Sequence, residues 1–193
     1  MVDATLIAAP SSTKNALGER YLEMHQTKKG NQWYFGMKAH NGVDAGSGLV
    51  HTVLSTAANV NDVVEGNSLL HGTETDVFAD AGYQGANKRP DVKDDVNWHV
   101  AMKPGKRKAL DKAQTIDRLT EAIERIKASV RAKVEHPFRV TKRQFGHVKV
   151  RYRGLAKNTA QLKTFFALSN LWIVRRKLYV LDGKVRPNAA VAA

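Results

Sequence analysis

Between Thr115 and Val134 the apolar side chains fall at Ile116, Leu119, Ile123, Ile126, Val130 and Val134, at successive steps of 3, 4, 3, 4 and 4 residues. A pleated strand repeats every two residues and cannot gather these positions on one face. A helix of 3.6 residues per turn gathers them into a single stripe. The spacing therefore predicts a long amphipathic helix, with its stripe expected in the core. A second helix is predicted from about Thr159 to Leu178, where Leu162, Phe165, Phe166, Leu168, Leu171 and Trp172 are apolar.

Upstream the pattern is different: short β-prone runs separated by turn residues. DATLIAA, residues 3 to 9, reads as a strand stopped by Pro10. WYFGMKAHNGV (33 to 43) and GLVHTVLSTAA (48 to 58), joined by the turn-rich DAGSG, read as a β-hairpin. Residues 11 to 31 are polar, with a KKGN turn at 28 to 31. Asn61 or Asp62 would cap a short helix running to Leu70. Val77 to Ala79 reads as a buried strand entering a glycine-bounded turn, ANKRPDVKDD as a short helix, and VNWHVAMKPG (96 to 105) as a strand closed by Pro104-Gly105. HVKVRYRGLAKN, after Gly146, reads as turn. Strands followed by helices in this order predict an α/β fold with a mixed sheet flanked by helices, spanning residues 1 to 180, with 181 to 193 as a disordered tail.

Composition bears on the partner. The 193 residues suit one domain, and a hydrophobic fraction of 42% with three Trp and six Phe suffices for a core. Trp33 and Trp98 are expected in it. The absence of cysteine excludes disulfides and thiolate metal sites. No apolar run reaches the roughly 18 residues of a membrane span, and MVDATLIAAPSSTKN lacks the basic start and long apolar stretch of a signal peptide. The cytoplasm is the expected compartment. The net charge of +13 is unevenly placed: residues 1 to 100 carry 8 Lys and Arg against 12 Asp and Glu, residues 101 to 193 carry 23 against 6. A basic half of that size predicts a polyanion-binding surface, nucleic acid above all, beside an acidic region.

Three acids stand out by position. Asp3 lies on the first strand. Asp80 lies at the C-terminal end of the VFA strand, where open α/β sheets place ligands, flanked by the small residues Ala79, Ala81 and Gly82. Glu135 lies on the long helix, the one acid in VRAKVEHPFRVTKRQFG, residues 130 to 146. A lone glutamate among cations is ordinarily a surface ion-pair partner worth a few tenths of a kcal/mol. Three carboxylates converging from two strands and a helix would instead make a hard oxygen site for Mg²⁺, suited to phosphodiester chemistry. Spacing alone leaves both readings open. Lys38 and His40 share a strand face by alternation and are candidates for touching DNA, with a solvated strand face as the alternative. Tyr83 reads as a packed aromatic, with positioning of a nucleotide as the alternative. His51, His71, His99 and His147 show no metal-ligand spacing and receive no role.

Several segments together resemble the catalytic domain of DDE transposases from bacterial insertion sequences, and within them the insertion-sequence-five group: VDATLIAAPSSTKN, MHQTKKGNQWYFGMKAHNGVD, GLVHTVLSTAANVND, FADAGYQG, and VRAKVEHPFRVTKRQFG with the following KVRYRGLAKN. They span about residues 2 to 175. The resemblance implies a ribonuclease-H-like fold, with Asp3, Asp80 and Glu135 as a catalytic triad holding two Mg²⁺ or Mn²⁺ ions. It implies double-stranded DNA, at the element's ends and its target, as the substrate in place of a small molecule. Action as a homo-oligomer on DNA and a nucleoid-associated place in the bacterial cytoplasm follow. The related signature around the glutamate is matched by Arg131, Glu135 and Lys142, while Ala128 stands where the signature has tyrosine. These cations, with Arg139, are expected on the phosphate backbone. Pro137 is expected to kink the helix beside the site or to be tolerated as a bend. Because Asp3 is the third residue and no end-recognition segment precedes it, the reading expects an N-terminally truncated copy. Its alternative function is that of a catalytically inactive remnant binding DNA through its basic half.

Overall fold

The computed structural model describes residues 1–11, 18–93 and 95–181. Four strands form one antiparallel sheet: β1 (Val2–Ala8), β2 (His25–Lys29), β3 (Gln32–Val43) and β4 (Val50–Ala57). β1 and β4 flank the C-terminal half of β3, pairing Asp3 with Asn41 and Leu54 with His40, while β2 pairs with its N-terminal half. The predicted hairpin is β3–β4. Its turn is fixed by Asp44, whose Oδ1 accepts from the Ser47 amide and hydroxyl, both at 2.6 Å.

β2 departs from the expected polar connection. HQTKK has no apolar alternation, but Gly30, at φ +62°, and Asn31 form a two-residue turn that lays Lys29 opposite Gln32. Glycine at the first central position is what the hairpin turn matching strand twist requires. Gly36 lets β1 close on β3, since a Cβ there would sit 2.1 Å from the Ile7 carbonyl oxygen.

The expected single mixed sheet is therefore two sheets. β5 (Asp76–Ala79) and β6 (Asn97–Val100) form a separate parallel pair. β1 packs beside β5, and α3 (Thr115–Arg139) lies across both. α1 (Asp62–Glu65) follows β4, capped by the Asn61 side chain. α2 (Pro104–Lys108) replaces the expected strand ending, with Pro104 in the first turn where its missing N–H is harmless. The helix expected in ANKRPDVKDD shrinks to one 3-10 turn, Ala86–Lys88, because Arg89 precedes Pro90 and is held extended. α4 (Leu155–Leu181) begins earlier than predicted. Its start is defined by Glu23, whose Oε2 accepts from the Leu155 N–H at 2.7 Å, a carboxylate at the positive end of a helix. Of the expected tail, residues 182–193 lie outside the described residues.

The larger core gathers Ile7, Met37, Ala39, Val43, Val134, Phe138, Leu162 and Phe166 between the four-stranded sheet and the two long helices. A smaller one packs Val2, Leu69, Val77, Ala79, Tyr83 and Ala86 under β5. The apolar stripe of α3 corrects an expectation: Val134 is buried, but Ile116 is 76% exposed, and Leu119, Ile123 and Ile126 are also exposed. The first half of α3 instead turns its polar face inward: Glu124 is buried and accepts from the Met102 N–H at 2.8 Å, Lys127 donates to the Val100 carbonyl, and Glu121 accepts from Arg107 of α2. Trp33, expected in the core, is exposed on the β2–β3 hairpin; Trp98 packs against the smaller core. Among the described residues no helix is long and apolar enough to cross a membrane.

Candidate active site

Asp3 sits on β1 with its Oδ1 accepting from the Ala4 N–H at 2.8 Å. Burial pushes its carboxyl up to about 7. The Ala4 hydrogen bond pulls it down, Asp80 pushes it up, the Arg131 guanidinium pulls it down and Glu135 pushes it up. Groups from the end of β5 and from α3 thus act on this carboxyl of β1. The packing of α3 on both β1 and β5 brings them there.

Asp80 leaves β5 and caps the 3-10 turn Ala81–Tyr83, its Oδ1 accepting from the Gly82 N–H at 2.8 Å. Part of its role is thus local and structural. Tyr83 is fully buried, as expected of a packed aromatic, and burial with the charges of Asp3, Asp62 and Asp80 pushes its hydroxyl far above the usual range.

A fourth acid, which sequence reasoning treated only as a possible cap, belongs to the same place. A Cβ added to Gly82 would lie 3.0 Å from Asp80 Oδ1 and 3.4 Å from Asp62 Oδ2, so both carboxylates crowd this glycine. Lys38 reaches across from β3 and donates to Asp62 Oδ1 at 2.8 Å and to the Val60 carbonyl at 2.7 Å. Nothing in the spacing of Asn61-Asp62 separates a cap from a site acid; the contact with Lys38 is long-range. A cavity of about 240 Å³ opens here, with Asp62 and Asp80 on its wall beside Thr5, Lys28, Lys29 and Lys38.

Glu135 and Arg131 are one turn apart on α3. Val134 and Phe138 face the core; Glu135 and Arg139 are exposed, and Arg131 is half-buried with its Nε lacking a hydrogen-bond partner. α3 runs through Pro137 to Arg139 and widens into a π-helical turn, Val140–Gln144. The missing N–H of Pro137 leaves the Lys133 carbonyl without its helical donor, so the distortion lies just downstream of the glutamate. The wide turn carries Lys142 onto β1, where Nζ donates to Thr5 Oγ1 at 2.7 Å and to the Leu6 carbonyl at 3.0 Å. Burial and the nearby Lys29 push its ammonium down, while Asp3 holds it up. Lys142 is thus beside the acids but half-buried.

His40 does not reach the surface. It is fully buried, its Nε2 lies 2.8 Å from Thr56 Oγ1, and burial pushes its imidazole down to about 4, so it is neutral near pH 7. A contact with DNA needs an exposed ring, so His40 forms no part of a DNA-facing surface.

The acids fit divalent cations. They offer hard oxygen donors, and Asp3 and Asp80 each give Oδ1 to a backbone amide, leaving Oδ2 uncommitted. The Asp3 carboxyl is raised first by burial and further by Asp80 and Glu135, and a bound cation would favour its ionised form.

A family model described as the transposase DDE domain matches residues 1–171. No solved structure matches the chain. The match takes in β1 through most of α4, and with them every residue of the acidic site. The chain belongs to the transposase DDE domain family.

Proposed function

We propose that this protein is the catalytic part of an insertion-sequence transposase of the insertion-sequence-five group, cutting and joining DNA strands at the site formed by Asp3, Asp80 and Glu135. The observation that carries this reading is the buried Asp3 carboxyl, on which the charges of Asp80, Arg131 and Glu135 all bear, in a chain of this family. A ribonuclease-H-like arrangement is part of the proposal, supported by a catalytic acid on β1, a second at the end of the adjacent β5 and a third on the helix lying across both.

The three acids would hold two Mg²⁺ or Mn²⁺ ions, which when bound supply activation of a water or a 3′-hydroxyl and stabilisation of the leaving oxygen. The chain's own residues do the rest. The backbone amides of Ala4 and Gly82 fix the orientation of the Asp3 and Asp80 carboxylates. Lys142 ties the end of α3 to β1 and so holds Glu135 in place relative to Asp3. Lys28, Lys29 and Lys38 at the cavity, with Arg131 and the exposed Arg139, provide positive charge for the phosphates on either side of the scissile bond. Double-stranded DNA is the substrate in this proposal. Assembly of a homo-oligomer on it draws support from the uncovered stripe of α3, and a nucleoid-associated cytoplasmic location goes with it.

The test is nicking of supercoiled DNA by the purified chain with Mg²⁺ or Mn²⁺. Asp80→Asn keeps the side-chain shape but removes the charge, and should reduce cleavage to background and abolish the calorimetric signal for Mn²⁺. Undiminished cleavage by Asp80→Asn would overturn the assignment. DNA binding without metal-dependent cleavage by the unmutated chain would favour the non-catalytic remnant instead.

A further inference from the structure

Three residues without a role in the acidic site come together at the opposite end of β5 from Asp80. One ring nitrogen of His51, one of His71 and a carboxylate oxygen of Glu74 lie within 4.8 Å of one another. His51 opens β4 in the four-stranded sheet, whereas His71 and Glu74 lie in the segment that enters β5. No regular spacing joins them in the sequence.

The surroundings of each group prepare it as a ligand. His51 Nδ1 lies 2.9 Å from Thr52 Oγ1, and His71 Nδ1 lies 3.0 Å from Thr73 Oγ1. In the tautomer whose Nδ1 donates to that hydroxyl, each ring carries its lone pair on Nε2, the arrangement that orients metal-bound histidines. His71 Nε2 faces Glu74 Oε1 at 3.4 Å. Glu74 is itself held, Oε1 accepting from the His71 N–H at 2.8 Å and Oε2 from the Gly72 N–H at 2.7 Å. The two rings stand edge to face with centroids 4.5 Å apart. Gly42 permits this approach, because a Cβ there would lie 2.6 Å from His51 Cε1 and 2.5 Å from the Leu69 carbonyl oxygen.

We propose that His51, His71 and Glu74 form a Zn²⁺ site that pins β4 to the segment entering β5. Two imidazoles and one carboxylate select a borderline transition metal over Mg²⁺, with water in the fourth position. The ion would join the four-stranded sheet, which carries Asp3, to the strand that carries Asp80. The site shares no residue with the acidic site, so its test is independent of the proposed transposase chemistry.

The test uses the untagged full chain, titrated with Zn²⁺ by calorimetry in excess Mg²⁺, which occupies hard oxygen sites. One Zn²⁺ per chain is expected, with a thermal midpoint that rises on binding. His51→Ala and His71→Ala each should weaken Zn²⁺ binding by roughly a hundredfold and Glu74→Gln by about tenfold. Co²⁺ in place of Zn²⁺ should give visible absorption of a four-coordinate site, lost in the same variants. Both histidines are exposed, so circular dichroism of the variants should match the parent, and Glu74→Gln keeps its size as a second probe. Absence of saturable Zn²⁺ binding, unchanged affinity in both histidine variants, or loss of binding only in Asp80→Asn would each overturn the proposal.

Discussion

Asp3 is the residue whose environment is most at odds with its ordinary chemistry. Its carboxyl titrates near 7 in the folded chain against an ordinary 3.8. The folded state therefore holds this proton to higher pH than the unfolded chain does. Its contribution to stability is complete below about pH 4 and is lost as pH rises through about 7. His40 works oppositely: pushed down to about 4, it loses stability as pH falls below its ordinary 6.5. The two overlap, so the clean measurement is a difference between variants. In metal-free buffer, Asp3→Asn should become progressively more stable than the parent between pH 4 and 8, by on the order of 2–4 kcal/mol at the upper end. Excess Mg²⁺ should shrink that gap by stabilising the ionised carboxyl of the parent alone. A pH-independent difference in thermal midpoint would mean that Asp3 carries no raised pKa. Asp80 stands out in the sequence because it follows an apolar strand among small residues, whereas Asp3 and Glu135 take their expected role from the family resemblance, a lone glutamate among cations reading equally as a surface ion-pair partner. Asp62 could not be singled out, since a cap and a site acid look the same beside Asn61. His51, His71 and Glu74 could not either, since they meet only through the packing of β4 on the segment entering β5.

At the scale of elements, α3 shows what periodicity does and does not convey. The 3.6-residue spacing identified the helix correctly but not what it faces. The same apolar stripe is buried at Val134 and exposed at Ile116, Leu119, Ile123 and Ile126, because the first half of the helix turns Glu121, Glu124 and Lys127 toward α2 and the end of β6. The consequence is measurable. Ile123→Lys and Ile126→Lys should change stability by no more than about 0.5 kcal/mol, as substitutions at exposed positions do. Phe166→Ala should cost about 3–5 kcal/mol, since Phe166 is fully buried edge-to-face against Phe138, with ring centroids 5.5 Å apart, and its removal leaves a cavity between the two long helices. Urea unfolding of the three variants decides it; a large loss in either lysine variant would mean that the stripe is covered in solution. Other elements were illegible for different reasons. β2 has no apolar alternation and is a strand only because the Gly30-Asn31 turn folds it back on β3. α2 was hidden because Pro104-Gly105 reads as a stop when Pro104 in fact begins a helix.

Taken whole, the molecule sets a small acidic site against a large basic surplus, with 23 of its 31 Lys and Arg in residues 101–193. That half supplies the two long helices that back the sheets and Arg131, Lys133, Arg139 and Arg143 around the end of α3. A surplus of this kind predicts DNA binding driven by release of counterions, with log affinity falling linearly against log salt concentration. The structure separates two cations that look equivalent in the sequence. Arg139 is exposed. Lys142 is half-buried and already donates to Thr5 and Leu6 on β1. Arg139→Ala should weaken binding to all sequences alike and reduce the salt slope by about one. Lys142→Ala should leave the slope nearly unchanged and instead lower the thermal midpoint, because Thr5 and Leu6 lose a charged donor. Fluorescence anisotropy with random duplex across a NaCl series, alongside thermal unfolding of both variants, distinguishes the two roles. A slope change in Lys142→Ala as large as that in Arg139→Ala, with no loss of thermal stability, would show that Lys142 leaves β1 to meet the phosphate backbone.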